Sequence, residues 1–107
     1  MTIKFSAKSP GKKSDAVEVR YDCACGCHPV ARYTRGSTEA GHEHCCCGIV
    51  HFAGQAAESQ LRSYLAERKA DGRDTPETRY SLALDSVRAP WGESIEIAYA
   101  VPTSGSA

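Results

Sequence analysis

Six cysteines and four histidines share one stretch of this chain, from Cys23 to His51, and none lies outside it. The first half reads Asp22-Cys23-Ala24-Cys25-Gly26-Cys27-His28-Pro29. The second reads Gly41-His42-Glu43-His44-Cys45-Cys46-Cys47-Gly48-Ile49-Val50-His51-Phe52. Thiolates are soft donors, and crowding them selects zinc, Cu(I), another thiophilic ion or an iron–sulfur cluster. Ten side chains are therefore candidate metal ligands: Cys23, Cys25, Cys27, His28, His42, His44, Cys45, Cys46, Cys47 and His51. Six thiolates and two imidazoles would close two tetrahedral zinc sites. One site, two ions or a thiolate-bridged cluster all remain open, with zinc the leading expectation.

Other uses of these residues fit less well. Adjacent and alternate cysteines pair poorly with one another as disulfides because the geometry is strained. The opening residues lack the charged-then-apolar pattern of a signal peptide, so the expected compartment is the reducing cytoplasm. One cysteine can act as a small buried hydrophobe, but six so close together cannot. The histidines carry less weight than the thiols. His42 and His44 flank Glu43 and could be solvated, His28 is similar, and His51 could pack at a helix entrance.

Spacing constrains the local backbone. Val17, Val19 and Tyr21 alternate with polar residues, and the same register runs on into Cys23, Cys25 and Cys27. Sulfurs on alternate residues of a strand stand roughly 6–7 Å apart, whereas two thiolates on one zinc with ~2.3 Å bonds sit nearer 4 Å. The strand must curl, with Gly26 and Pro29 the expected places, or successive sulfurs must serve different metals. Cys45, Cys46 and Cys47 cannot all point one way. Two of them can reach a shared centre while the third bridges or turns to another, and Gly41 and Gly48 permit the bends. If a helical turn begins early, Cys47 and His51 fall on one face. Arg32 and Arg35, between the halves, could offset the negative charge of a thiolate cluster.

Known motifs fit only in part. No Cys-x2-Cys knuckle pair and no Cys-x-x-Cys redox motif occurs. His42-Glu43-His44-Cys45-Cys46 begins like the zinc-protease helix signature but lacks a histidine at position 46, and the zinc-deaminase pattern fails as well. The Cys-x-Cys and adjacent-cysteine usage resembles that of metallothioneins, where short spacings build thiolate-bridged clusters. That resemblance covers Cys23–Cys27 and Cys45–Cys47 and not the patterned segments on either side.

Those flanking segments must position the cluster. Ile3, Phe5 and Ala7 alternate as a strand, Ser9 to Asp15 reads as a loop, and Val17–Tyr21 forms a second strand. Ala53, Ala57, Leu61, Tyr64, Leu65 and Arg68 make a helical stripe, which predicts a helix over 53–70 ending at Asp71-Gly72. Tyr80, Leu82 and Leu84 alternate while Val87 is out of phase, which suggests a bulge or slip near Asp85. Ala89-Pro90-Trp91-Gly92 makes a turn, and Ile95, Ile97, Tyr99 and Val101 form a last strand. The expectation is α+β: a four-stranded antiparallel sheet with one helix packed on a face (ββ-insertion-αββ) and a Cys/His-rich metal-binding insertion.

The chain has 107 residues, room for a single domain over 1–101 with its metal-binding segment at 23–51 and a flexible tail at 102–107. Thirteen basic residues balance 13 acidic ones, which argues against a general nucleic-acid binder. No apolar run approaches a membrane span. The sequence thus predicts a small cytoplasmic soft-metal-binding protein for storage, delivery, detoxification or sensing. The alternatives are a structural zinc module that binds a partner protein, then an iron–sulfur or thiol redox protein. No catalytic residue is expected.

Overall fold

Three hairpins turned by the same short loop supply most of this fold. The computed structural model describes residues 3–9, 15–74 and 79–103. Its elements run β1 (Ser6–Lys8), β2 (Ala16–Arg20), β3 (Val30–Thr34), β4 (Gly41–His44), β5 (Val50–Ala53), α1 (Ala57–Ala70), β6 (Tyr80–Arg88) and β7 (Ser94–Pro102). Every strand pairing is antiparallel, in a three-stranded sheet β1-β2-β3 and a four-stranded sheet β4-β5-β7-β6.

The hairpins β2–β3, β4–β5 and β6–β7 close in the same way. Cys23 N–H donates to Cys27 O at 2.9 Å and Gly26 N–H to Cys23 O at 2.9 Å. The equivalent bonds are Cys45 to Ile49 at 2.8 Å with Gly48 to Cys45 at 2.9 Å, and Ala89 to Glu93 at 2.8 Å with Gly92 to Ala89 at 2.9 Å. Each loop ends on a glycine in the left-handed region, with φ of 96°, 94° and 93° for Gly26, Gly48 and Gly92. This is the three-residue hairpin loop, whose final position favours glycine because a Cβ is strained there.

The molecule has three layers. Val17, Val19, Ala31 and Tyr33 of the small sheet pack on Ala53, Ile95 and Ile97 of the large one. On the opposite face of the large sheet, Ala57 and Leu61 of α1 cover Val50, Phe52, Ala98 and Ala100, with Tyr64 and Leu65 alongside. A third cluster (Ile3, Tyr21, Cys45 and Ile49) closes the end where the cysteine loops lie. The C-terminal end of α1 is tied to β6 through buried Asp74, which accepts from Arg68 at 3.0–3.2 Å and from the Tyr80 hydroxyl at 3.2 Å. Those bonds to Arg68 hold the Asp74 carboxyl below the usual carboxylate range.

The α+β class and a four-stranded antiparallel sheet bearing one helix are present, but the expected assignment of strands is corrected. The first two strands join β3 in a separate sheet, and the four-stranded sheet takes β4 and β5 from the cysteine segment. That segment is therefore no insertion. It supplies three strands and forms the seam between the sheets. The helix begins at Ala57 because Ala53 ends β5, and Ala56, at φ 55°, lies just before the first helical residue. No bulge interrupts β6, which pairs with β7 without a break from Tyr80↔Pro102 through Asp85↔Ile97 to Arg88↔Ser94. Its change of phase reflects which face is covered: Tyr80 and Leu82 pack toward the helix, Val87 toward the small sheet. At the C-terminal end Pro102 closes β7 and Thr103 N–H donates to Arg79 O at 3.0 Å. The rest of the expected tail (104–107) and most of the expected loop (10–14) lie outside the described residues.

Candidate metal centre

Two of the three hairpin loops carry cysteine, and they meet. The sulfurs form three rungs, each with one member from the β2–β3 loop and one from the β4–β5 loop. Cys23 faces Cys47 at 3.5 Å, Cys25 faces Cys45 at 3.0 Å, and Cys27 faces Cys46 at 3.4 Å. Adjacent rungs connect through Cys47–Cys45 at 3.3 Å and Cys46–Cys25 at 3.5 Å. All six cysteines are free.

The rungs define two four-sulfur sets, Cys23/Cys25/Cys45/Cys47 and Cys25/Cys27/Cys45/Cys46, each with its sulfurs within 4.8 Å of one another. Cys25 and Cys45 belong to both. Four sulfurs around one ion with ~2.3 Å bonds stand roughly 3.8 Å apart, so the outer rungs need open by only a few tenths of an ångström to admit metal and the central Cys25–Cys45 rung by about 0.8 Å. The expectation that the Cys45–Cys47 run divides between centres agrees with this layout. Cys47 turns to one side, Cys46 to the other, and Cys45 lies between. Gly26 turns the first loop as expected, whereas Pro29 lies beyond the turn, next to β3. Gly48 turns the second, while Gly41 heads β4, where a Cβ would run into the Arg32 backbone.

Burial divides the sulfurs. Cys45 is 2% exposed within the third apolar cluster, Cys23 and Cys27 are half-buried, and Cys25, Cys46 and Cys47 are exposed. Burial, and then the hydrogen bond with Cys25, push the Cys45 thiol well up. The same bond pulls Cys25 down to about 5. Neighbouring Cys27 and Cys25 push Cys46 up to about 11.

No histidine nitrogen belongs to either set. His28 pairs across its hairpin with Asp22, Nδ1 to Oδ1 at 2.8 Å. His42, on β4, stacks on Phe52 with ring centres 4.7 Å apart. His44 Nδ1 lies 3.6 Å from Glu43 Oε1. His51 is on β5 rather than at a helix entrance, fully buried, with Nε2 3.0 Å from Val19 O. Cys47 and His51 therefore share no helical face. Arg35, expected near the thiolates, follows β3 at its far end. There it pairs with Asp15 at 3.9 Å and lies over the Trp91 ring at 5.5 Å.

Sequence reasoning passed over the floor of the centre: Ile3, Tyr21 and Ile49, which pack around Cys45. The signal available was the alternation that carries Tyr21 toward Cys23. Among the described residues no helix is long and apolar enough to cross a membrane. No protein-family model matches the chain, and no curated protein or solved structure matches it significantly.

Proposed function

We propose that this protein binds and releases soft metal ions, zinc first among them, in storage, delivery or detoxification. The observation that carries the reading is the placement of six free thiols at the tips of two hairpins, three of them open to solvent, beyond a sandwich and helix that have cores of their own. Four-thiolate sets suit tetrahedral d10 ions such as Zn²⁺ and Cd²⁺. They suit an iron–sulfur cluster less, because the position that inorganic sulfide would bridge is taken by Cys25 and Cys45, 3.0 Å apart. The proposed location is the cytoplasm, whose reducing poise keeps adjacent thiols free.

Exchange tests the reading. A chelator of comparable affinity should take zinc from the loaded protein within minutes, read by an absorbing chelator, while the far-ultraviolet circular dichroism stays constant. Metal that leaves only as the chain unfolds would sink it. That outcome belongs to the second reading, a structural zinc module for a partner protein, which the burial of Cys45 among Ile3, Tyr21 and Ile49 favours.

A further inference from the structure

The two cysteine loops have the same backbone but not the same thiols. Superposed on their shared turn, Cys23-Ala24-Cys25-Gly26-Cys27 matches Cys45-Cys46-Cys47-Gly48-Ile49, since the paired bonds and the left-handed glycines coincide. Cys23 then corresponds to Cys45, and Cys25 to Cys47. These four equivalent cysteines make up the first four-sulfur set. The loops differ in cysteine content at two positions only: Cys46 stands where the partner loop has Ala24, and Cys27 where it has Ile49. Those two unmatched thiols face each other, 3.4 Å apart.

We infer that the centre is binuclear and built in two tiers, an inference that rests on the soft-metal reading above. A pseudo-symmetric pair of Cys-x-Cys-Gly loops holds one divalent d10 ion through Cys23, Cys25, Cys45 and Cys47. Cys27 and Cys46 add a second ion, which reuses the Cys25 and Cys45 sulfurs as bridges. The product is two tetrahedra sharing an edge, with four terminal thiolates and two bridging ones. The repeated loop geometry by itself builds the first set, whereas the second exists only through the unmatched Cys27 and Cys46.

Cadmium tests this directly. The whole chain, reduced and titrated with ¹¹³Cd²⁺, should take up two ions by native mass spectrometry. Its two ¹¹³Cd resonances should be scalar-coupled through the shared sulfurs. The C27I/C46A variant, in which each added thiol becomes the residue its counterpart carries, should bind one ion and show one resonance. C27S/C46S should do the same and guards against a packing fault from the larger isoleucine. C23S/C47S should also keep one ion, held by Cys25, Cys27, Cys45 and Cys46. A single ion in the parent protein, or two uncoupled resonances, would overturn the bridged centre while leaving soft-metal binding intact. Loss of both ions from both 27/46 variants with unchanged circular dichroism would overturn the tiers. A parent chain that binds no cadmium would overturn the soft-metal reading itself and this inference with it.

Discussion

Cys45 is the one fully buried sulfur, and it serves both the packing and the metal sets. It is buried with Ile3, Tyr21 and Ile49 and common to both four-sulfur sets. Cys45→Ser should therefore lose both ions, whereas Cys46→Ser, at an exposed site in one set, should lose one; elemental analysis after desalting reads the difference. The buried hydroxyl should also cost Cys45→Ser about 1–3 kcal/mol of stability, a penalty absent at position 46. His51 makes a different contribution. Its Nε2–H donates to Val19 O, its Nδ1 has no partner among the described residues, and burial lowers its pKa from the usual 6.5. The native imidazole is thus neutral and resists a proton that the unfolded chain accepts. Stability from this group is present above about pH 6.5 and falls as pH drops below it. His51→Phe should flatten that part of the pH dependence, measured as the difference in urea midpoint from the parent between pH 7.5 and 5.5 with chelator present. It should lower stability across the whole range by about 1–3 kcal/mol, because Val19 O loses its donor.

Three hairpins with one loop geometry make a built-in control. Gly26, Gly48 and Gly92 all sit at left-handed φ, so alanine at any of them should cost about 1–2 kcal/mol by backbone strain. Only Gly26→Ala and Gly48→Ala should also weaken metal binding; Gly92→Ala, in the loop without cysteine, should destabilise and leave zinc affinity unchanged. Gly48→Ala should be the worst, since its Cβ would meet a Pro102 ring carbon at 2.8 Å, whereas position 26 is open. Urea titration beside zinc competition on the three variants checks this. The same loops explain what was legible beforehand. The Ala89–Gly92 turn was readable from its proline and glycine between two alternating strands, and so were the helical stripe at Ala57, Leu61, Tyr64 and Leu65 and the alternation of β7. The strands of the cysteine segment were not. All of β5 (Val50–Ala53) is buried, so it shows no alternation. β4 (Gly41–His44) holds no apolar residue at all. In the centre, the six thiols were readable from type and spacing, but their pairing into rungs depends on two sheets meeting. The positions of the histidines depend on the same strands: none shares a four-sulfur set, and His51, adjacent in sequence to the second loop, lies in the core between the sheets.

For the whole molecule, the question is how far metal supports the fold. The sandwich core around Val17, Val19, Tyr33, Ile95 and Ile97 contains no cysteine, nor does the helix core around Leu61. Among the described residues only the third cluster includes a candidate ligand, and there Cys45 packs as a small apolar side chain whether or not it holds an ion. Metal should then act as a ligand of the native state by mass action. A free concentration about 100-fold above Kd adds roughly 2.7 kcal/mol, which for a chain of this size corresponds to a rise in Tm of roughly 10–20 °C. Scanning calorimetry with zinc and with excess chelator should give two cooperative transitions separated by about that interval. The metal-free protein should remain folded at 25 °C, with its circular dichroism unchanged. In Cys45→Ser the zinc-dependent shift should vanish while the metal-free transition falls only by the cost of the buried hydroxyl. If chelation instead abolishes the cooperative transition altogether, the two cysteine-free cores are too small to hold the sheets together. The thiolate cluster would then be part of the folding nucleus and not cargo carried at its edge.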